Sequence, residues 1–254
     1  MPQAANALAD LRARFSDVRS RIDSRARQCN RAPEEITLIA VTKTHPVETL
    51  SAALSIGARD LGENRVQEAE PKIIELGRNA ARWHLIGHLQ ANKARRAVKF
   101  FDVIHSVDST ELAQRLDRLC IEEDRAELPV LIQVDLAAEE TKSGASESEL
   151  TNLAGAIRSC PHLQLQGLMT LPPFYEEAEL VRPYFKRLCK LRDALRSDGY
   201  FGDKRGELSM GMTHDFEIAI EEGATMVRIG TALFGAREAN DYRSPEGLPP
   251  TILK

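Results

Sequence analysis

The stretch Ile36-Thr-Leu-Ile-Ala-Val41 is a short, almost continuous apolar run, and a helix-like segment over residues 46–56 follows it. Such a run is typical of a strand buried on both faces, as in a parallel sheet. Pro46 suits the first turn of a helix, and Gly57 suits its end. We therefore interpret residues 36–57 as one strand–helix unit.

The same alternation continues along the chain after a leading amphipathic helix with apolar residues from Leu8 to Ile22. Further strands are predicted at residues 59–61, 83–86, 102–105, 130–134, 163–169, 207–209 and 226–229, each followed by apolar residues at helical spacing. Eight such units in this length predict a (β/α)8 TIM barrel, an α/β fold, as a single domain over residues 1–254 with an extra N-terminal helix. A doubly wound open sheet is the alternative.

Composition excludes several classes of protein. The chain has 254 residues and a formal net charge of −4, so it lacks the clustered cations of a nucleic-acid binder. No apolar stretch approaches the ~18 residues of a membrane helix, and the first ten residues do not resemble a signal peptide. The four cysteines are scattered, which favours reduced thiols and a cytoplasmic location.

Lys43 lies just past the first predicted strand. Function in a barrel of this kind belongs at the C-terminal ends of the strands. There desolvation lowers the pKa of an amine from about 10.4, and a neutral amine can form a Schiff base with an aldehyde. On position alone, a surface lysine that extends to water explains Lys43 equally well.

Two glycine-bearing segments follow the seventh and eighth predicted strands, where barrels often bind phosphate. Ser209 offers a hydroxyl, and Gly211 and Gly230 allow close backbone approach. Ordinary helix capping, with Thr213 as the N-cap, is the structural alternative.

A Schiff-base lysine and a phosphate site together fit two ligands. One is a phosphorylated sugar carbonyl, as in an aldolase, and the other is pyridoxal 5′-phosphate (PLP). Arg228 favours PLP, because enzymes that use this cofactor place an Asp or an Arg at the pyridine nitrogen. An aldolase leaves Arg228 unexplained.

Motifs over most of the chain resemble the pyridoxal phosphate homeostasis protein family, whose members are PLP-binding barrels similar to the N-terminal domain of alanine racemase. They are Ile39-Ala-Val-Thr-Lys43-Thr, Gly62-Glu-Asn64-Arg-Val-Gln-Glu68, His84-Leu-Ile-Gly-His-Leu-Gln-Ala-Asn-Lys93, Thr141-Lys-Ser-Gly144, Gly167-Leu-Met169, Leu208-Ser-Met-Gly-Met-Thr-His-Asp215 and Val227-Arg-Ile-Gly-Thr-Ala-Leu-Phe-Gly235.

The resemblance implies that Lys43 holds PLP covalently, that Arg228 faces the pyridine nitrogen and that Asn64 lies near the ring. It further implies a phosphate site whose residues are Ser209, Gly211, Gly230 and Thr231, with Met210 beside them. Lys142 matches a family lysine near the mouth of the barrel. The chain departs from the usual family residues at Thr42, Arg65 and Asp135.

The resemblance therefore predicts a PLP carrier in vitamin B6 homeostasis, a monomer or weak homodimer without robust turnover, whose partners are PLP and PLP-dependent apo-enzymes. A PLP-dependent racemase or decarboxylase is the alternative. Fewer than ~20 residues follow Arg237, which is too few for the second domain of an alanine racemase. No metal site is expected, because His84 and His88 lack the glutamate of an H-E-x-x-H helix.

Overall fold

A computed structural model of the chain describes residues 2–137 and 143–235, with side chains from residue 6 onward. Lys142 and residues 236–254 lie outside the described residues, so the extent of the domain to residue 254 stays a prediction. The strands are β1 (Thr37–Val41), β2 (Asp60–Glu63), β3 (Arg82–Leu85), β4 (Val103–Val107), β5 (Leu128–Gln133), β6 (Leu163–Met169), β7 (Glu207–Ser209) and β8 (Met226–Ile229).

The α-helices of the described residues surround this sheet. They are α1 (Pro2–Gln28), α2 (Val47–Ser55), α3 (Val66–Leu76), α4 (Ala94–Phe100), α5 (Thr110–Glu122), α6 (Leu150–Arg158), α7 (Arg182–Ser197), α8 (Phe216–Glu221) and α9 (Thr231–Phe234). Each strand pairs in parallel with the next, and β8 returns to pair with β1. The predicted single-domain barrel is confirmed, and the open-sheet alternative is wrong because the sheet closes.

The additional helix α1 packs against α8 and α9, beside the junction of β8 and β1. Leu11, Val18 and Ile22 form its buried stripe, as the helical spacing predicts. Its arginines add specific contacts: Arg14 Nε donates to the Leu233 carbonyl at 2.7 Å, and Arg21 forms an ion pair with Glu217. The helix thus covers the outside of the barrel near its point of closure.

Alternate residues of each strand face opposite sides of the barrel wall. Outward-facing residues such as Leu61, Trp83 and Ile104 belong to the large core beneath the helices. A separate, smaller apolar cluster fills part of the interior and consists of Ile39, Val103, Leu131, Met169 and Met226. Buried polar side chains occupy another part of the interior and lead to the cavity described next.

Candidate functional site

A cavity of about 590 Å³ lies at the C-terminal ends of the strands. This is where barrels of this class carry their sites, and the volume suits a small ligand. Its lining residues come from the ends of β1 and β8 and from segments that follow β1, β2, β3, β6, β7 and β8. They are Val41, Lys43, His45, Asn64, Ile86, Gly87, His88, Leu171, Pro173, Phe174, Met212, Thr213, His214, Asp215, Arg228, Gly230, Thr231 and Gly235.

The segment that carries Lys43 is fixed from behind by a buried ion pair. Thr42 Oγ1 donates to Glu63 Oε1 at 2.7 Å, while Lys72 Nζ donates to the same carboxylate oxygen at 2.9 Å and to the Thr42 carbonyl at 3.0 Å. Burial raises the pKa of Glu63, and the Lys72 ammonium opposes that shift. The half-buried Lys43 therefore leaves the barrel wall from a well-supported position.

Thr44, the next residue, has a left-handed backbone with φ of 69°. A β-branched residue adopts this conformation at a cost, and such strain often marks functional sites. The Thr44 amide donates to the Glu68 carboxylate, which Lys72 also contacts at 2.7 Å. The turn after Lys43 is thus held by the same buried group of charges.

Asn64 is placed by a close backbone approach between neighbouring strands. A Cβ atom on Gly87 would lie 2.3 Å from the Asn64 carbonyl oxygen, so only glycine fits there without a shift. The absence of a side chain at Gly87 lets the two segments meet at the cavity wall.

Arg228 lines the cavity, yet its side chain is 3% exposed. Its Nη1 donates to Ser209 Oγ at 2.6 Å, and its Nη2 donates to the Thr170 carbonyl at 2.8 Å. Burial lowers the pKa of Arg228 to about 10, and the nearby Asp215 carboxylate opposes the shift. The guanidinium is therefore positively charged at neutral pH.

Ser209 is not among the cavity-lining residues, and its expected role at a phosphate stays a prediction. Its side chain is fully buried inside the barrel, where Oγ lies 2.9 Å from His105 Nδ1 and accepts from Arg228. As the last residue of β7 it faces inward rather than toward the rim. The hydroxyl supports Arg228 instead of the cavity surface.

Met210 and Gly211 are also absent from the cavity lining, and their expected placement at a phosphate stays a prediction. Met210 is fully buried in the outer core. Gly211 has φ of 91°, and a Cβ atom there would lie 2.6 Å from Ala219 Cβ. Packing against α8 by itself therefore requires glycine at this position.

Thr213 takes the position at the cavity that Ser209 was expected to hold. It lines the cavity together with Gly230 and Thr231, and its Oγ1 accepts from the Ala232 amide at 3.3 Å. The predicted role of Thr213 as N-cap of α8 is wrong. The helix begins at Phe216 with Asp215 before it, and Asp215 Oδ1 accepts from the Met212 amide at 2.6 Å.

Three histidines at the cavity were missed as site residues, although each follows a strand by a few positions. His88 Nδ1 lies 3.3 Å from Asp108 Oδ2, and burial raises the pKa of that carboxyl. His214 Nε2 donates to the Glu176 carbonyl at 3.0 Å. The His45 ring packs against Phe234 with 4.7 Å between ring centroids.

The three residues that differ from the usual family pattern lie behind or beside the cavity. The Thr42 hydroxyl makes a contact that a serine hydroxyl also provides, since its role is to donate to Glu63. Arg65 is exposed, precedes α3 and does not line the cavity. Asp135 Oδ1 accepts from the Ala137 amide at 3.0 Å within its own turn. Lys142 lies outside the described residues.

His84 and His88 diverge, although they are four residues apart. His84 is inside the barrel and bonds to His105 and Asp60, whereas His88 is at the rim. Across residues 2–137 and 143–235, no three potential metal ligands come together. Within the same residues, no helix combines the length and the apolar character needed to cross a bilayer.

Comparison with known proteins gives one consistent family. The alanine racemase N-terminal domain family matches residues 18–238. The chain is 42% identical over 237 residues to the pyridoxal phosphate homeostasis protein of Escherichia coli K12, covering 90% of this chain and 97% of that protein. Its counterpart in Aquifex aeolicus is 40% identical over 225 residues, covering 89% and 97%. The chain belongs to the pyridoxal phosphate homeostasis protein family.

Solved structures of this family and beyond it share the barrel. PipY of Synechococcus elongatus, solved with PLP bound, is 38% identical with a TM-score of 0.75, covering 89% of this chain and all of that one. Alanine racemase from Corynebacterium glutamicum is 18% identical with a TM-score of 0.64, covering 91% of this chain and 62% of that one, and shows a common fold only.

Proposed function

We propose that this protein binds PLP, holds it as a Schiff base on Lys43 and serves intracellular vitamin B6 homeostasis without robust turnover. The names of its relatives and the PLP-bound structure of PipY support the ligand. The observation that carries the proposal is that Lys43 and the buried cation Arg228 line one cavity.

The side chains present fit the groups of PLP. Lys43 supplies the amine for the aldehyde: a C=N bond forms, the C=O bond breaks and water leaves. Arg228 supplies N–H donors toward the ring nitrogen, and Asn64 is placed for the face or edge of the ring. Bound at Lys43, the cofactor would offer an electrophilic imine conjugated to its ring.

For the phosphate we propose Thr213, Gly230 and Thr231, because these residues line the cavity after β7 and β8. The hydroxyl of Thr213 and the backbone of the other two offer hydrogen-bonding groups to an anion. Ser209, Met210 and Gly211 support this wall from behind.

The charge on Arg228 limits how strongly the bound cofactor would withdraw electrons. Because its pKa is about 10, the guanidinium keeps its proton at neutral pH and does not pass it to the ring nitrogen. An unprotonated pyridine is a weaker electron sink than one paired with a carboxylic acid. A cofactor held in this way would stabilise a carbanion less strongly than one paired with a carboxylic acid.

The alternative, an amino-acid racemase or decarboxylase, receives support from the His88–Asp108 pair at the rim. An imidazole oriented by a carboxylate is a usual acid or base. Incubation of the PLP-loaded protein with D- and L-alanine separates the proposals. Turnover of ~1 s⁻¹ or more would overturn the carrier proposal.

The linkage itself is tested by borohydride reduction of the loaded protein, followed by peptide mapping. We expect the pyridoxyl label on Lys43, and we expect Lys43→Ala to lose both the label and the visible absorption of the imine. Lys190→Ala, which removes an exposed lysine on α7, is the matched control and should behave as wild type. A label on another side chain, or none, would refute the Schiff base on Lys43.

We further propose that PLP-dependent apo-enzymes receive the cofactor, and that the protein acts in the cytoplasm as a monomer or weak homodimer. Mixing the loaded protein with an inactive PLP-dependent apo-enzyme should restore that enzyme's activity while the carrier loses its colour. Restoration no faster than with the same concentration of free PLP would contradict direct transfer.

A further inference from the structure

An unbroken line of polar side chains runs through the barrel interior from the cavity toward the opposite end. Arg228 Nη1 is 2.6 Å from Ser209 Oγ, which is 2.9 Å from His105 Nδ1. His105 Nε2 is 2.9 Å from His84 Nδ1, and His84 Nε2 is 2.9 Å from Asp60 Oδ1. We name these five residues the interior chain.

With both imidazoles neutral, one arrangement of protons satisfies every contact in the interior chain. The carboxylate of Asp60 only accepts, so His84 must donate from Nε2 and, being neutral, accept at Nδ1. His105 must then donate from Nε2. At Nδ1 it accepts a hydrogen bond from the Ser209 hydroxyl. The Ser209 oxygen is left to accept from Arg228. All four hydrogen bonds therefore point from Arg228 toward Asp60.

We propose that Asp60, His84, His105 and Ser209 are positioning residues for Arg228, and that through it the carboxylate of Asp60 tunes the binding of PLP at the far end of the barrel. The proposal rests on the proposed function. It adds residues outside the cavity, on four different strands, to those that control the cofactor.

Burial favours the neutral form of both imidazoles, as the arrangement requires. Burial lowers the pKa of His84, and the charge of Arg82 lowers it further. The carboxylates of Asp60 and Asp102 oppose this shift. Burial lowers the pKa of His105 well below its ordinary value, and the nearby charges of Arg228 and Arg82 lower it further. A second proton on His84 would set its Nδ1–H against the Nε2–H of His105 and break the line.

The interior chain fixes Arg228 on one side, and the Thr170 carbonyl fixes it on the other. Hydrogen bonds in series polarise one another, and a carboxylate at the end makes the Ser209 oxygen a better acceptor. Two anchored nitrogens leave the guanidinium little freedom to rotate. Its remaining N–H groups are thereby aimed before a ligand arrives, which favours binding.

Asp60 is the remote end of the line. It is the first residue of β2, at the N-terminal end of the barrel, and its side chain is 20% exposed. The cavity lies at the other end, after the strands. A change at Asp60 therefore reaches PLP only through the interior chain, which makes this residue the sharpest place to test the proposal.

The test replaces Asp60 by asparagine, which keeps the size but can either accept from or donate to His84. Nitrogen-15 NMR of the ligand-free protein reports which ring nitrogens carry protons. Wild type should show Nε2–H on both His84 and His105, whereas Asp60→Asn should add Nδ1–H forms. PLP affinity, from titration of the imine absorption, should fall about tenfold in Asp60→Asn, equivalent to ~1.4 kcal/mol, and at least as much in Ser209→Ala.

Asp203→Asn is the matched control, since this exposed residue precedes β7 and touches no member of the interior chain. Its affinity should equal that of wild type. Unchanged affinity in Asp60→Asn and Ser209→Ala, an equal loss in Asp203→Asn, or Nδ1–H on His105 in wild type would each overturn the proposal. Failure of wild type to bind PLP would refute the proposed function instead, and the NMR result would still test the proton arrangement.

Discussion

Replacement of His105 by glutamine should remove part of the acid sensitivity of the fold. His105 is fully buried and flanked by Ser209 and His84. Because its pKa lies well below the ordinary value, it stays neutral in the folded protein under mild acid. In the unfolded chain the same imidazole takes up a proton near its ordinary pKa of ~6.5.

The sign follows from which state binds more protons. Between the folded and the unfolded pKa, the unfolded chain binds the extra proton, so the free energy of unfolding decreases as pH falls. The stability is fully present above about pH 6.5 and is lost below it at about 1.4 kcal/mol per pH unit for one such histidine. His105 alone therefore costs about 2 kcal/mol between about pH 6.5 and 5.

Other groups shift in the opposite direction and must be separated from this effect. The pKa values of Glu63, Asp108 and Asp215 are raised by burial, so these carboxyls favour the folded state as pH falls through their folded pKa values toward the ordinary ones. They are present in both wild type and His105→Gln. Burial also lowers the pKa of His84, which hydrogen-bonds His105, so the difference between the two proteins reports on this histidine pair.

Urea unfolding of the ligand-free protein at pH 7.5 and pH 5 measures this difference. Glutamine retains one donor and one acceptor, so His105→Gln should lose about 2 kcal/mol less than wild type over that range. His162→Gln removes a half-buried histidine outside the barrel and is the control. Equal losses in wild type and His105→Gln would show that His105 is protonated in the folded state and would refute the reasoning.

Two further predictions concern the wall after β7. Gly211→Ala should destabilise the protein by about 1–3 kcal/mol, measured by urea unfolding, because the backbone there is left-handed and the new Cβ would meet Ala219. Gly202→Ala is the control and should cost less, because this left-handed glycine is exposed and has open space around it. Thr213→Ala should weaken PLP binding about tenfold, equivalent to ~1.4 kcal/mol, with unfolding in the absence of PLP little changed; full retention of PLP would show that the hydroxyl does not contact the phosphate.

The barrel was predictable because parallel strands covered on both faces appear as short apolar runs. The predicted strands 163–169, 207–209 and 226–229 match β6, β7 and β8 residue for residue. The first five differ from β1 to β5 by one or two residues at their ends. Such ends depend on hydrogen bonds to neighbouring strands, which one strand's own residues do not specify.

Cavity residues were predictable where their place just after a strand is enough to bring them to the cavity. They were not predictable where the direction of the side chain determines whether it reaches the cavity. Lys43, Asn64 and Gly230 follow their strands and reach the cavity as expected. Ser209 ends its strand, and whether such a residue faces the rim or the interior depends on the tilt and stagger of the closed barrel. The hydroxyl four residues later, Thr213, is the one that reaches the cavity.

The interior chain was beyond sequence reasoning, since its members come from β2, β3, β4, β7 and β8 and only closure of the barrel brings them together. Its presence also has no ready explanation in stability. Buried polar groups must be desolvated, and apolar residues of similar size often serve stability equally well, as the interior cluster around Ile39 does. Removing a single member, by contrast, leaves its neighbours buried without partners. The interior chain is therefore costly unless all its members are present. It ends on Arg228, the one buried guanidinium of the cavity wall among the described residues. Its presence is best explained by its role of holding Arg228 in place for a ligand.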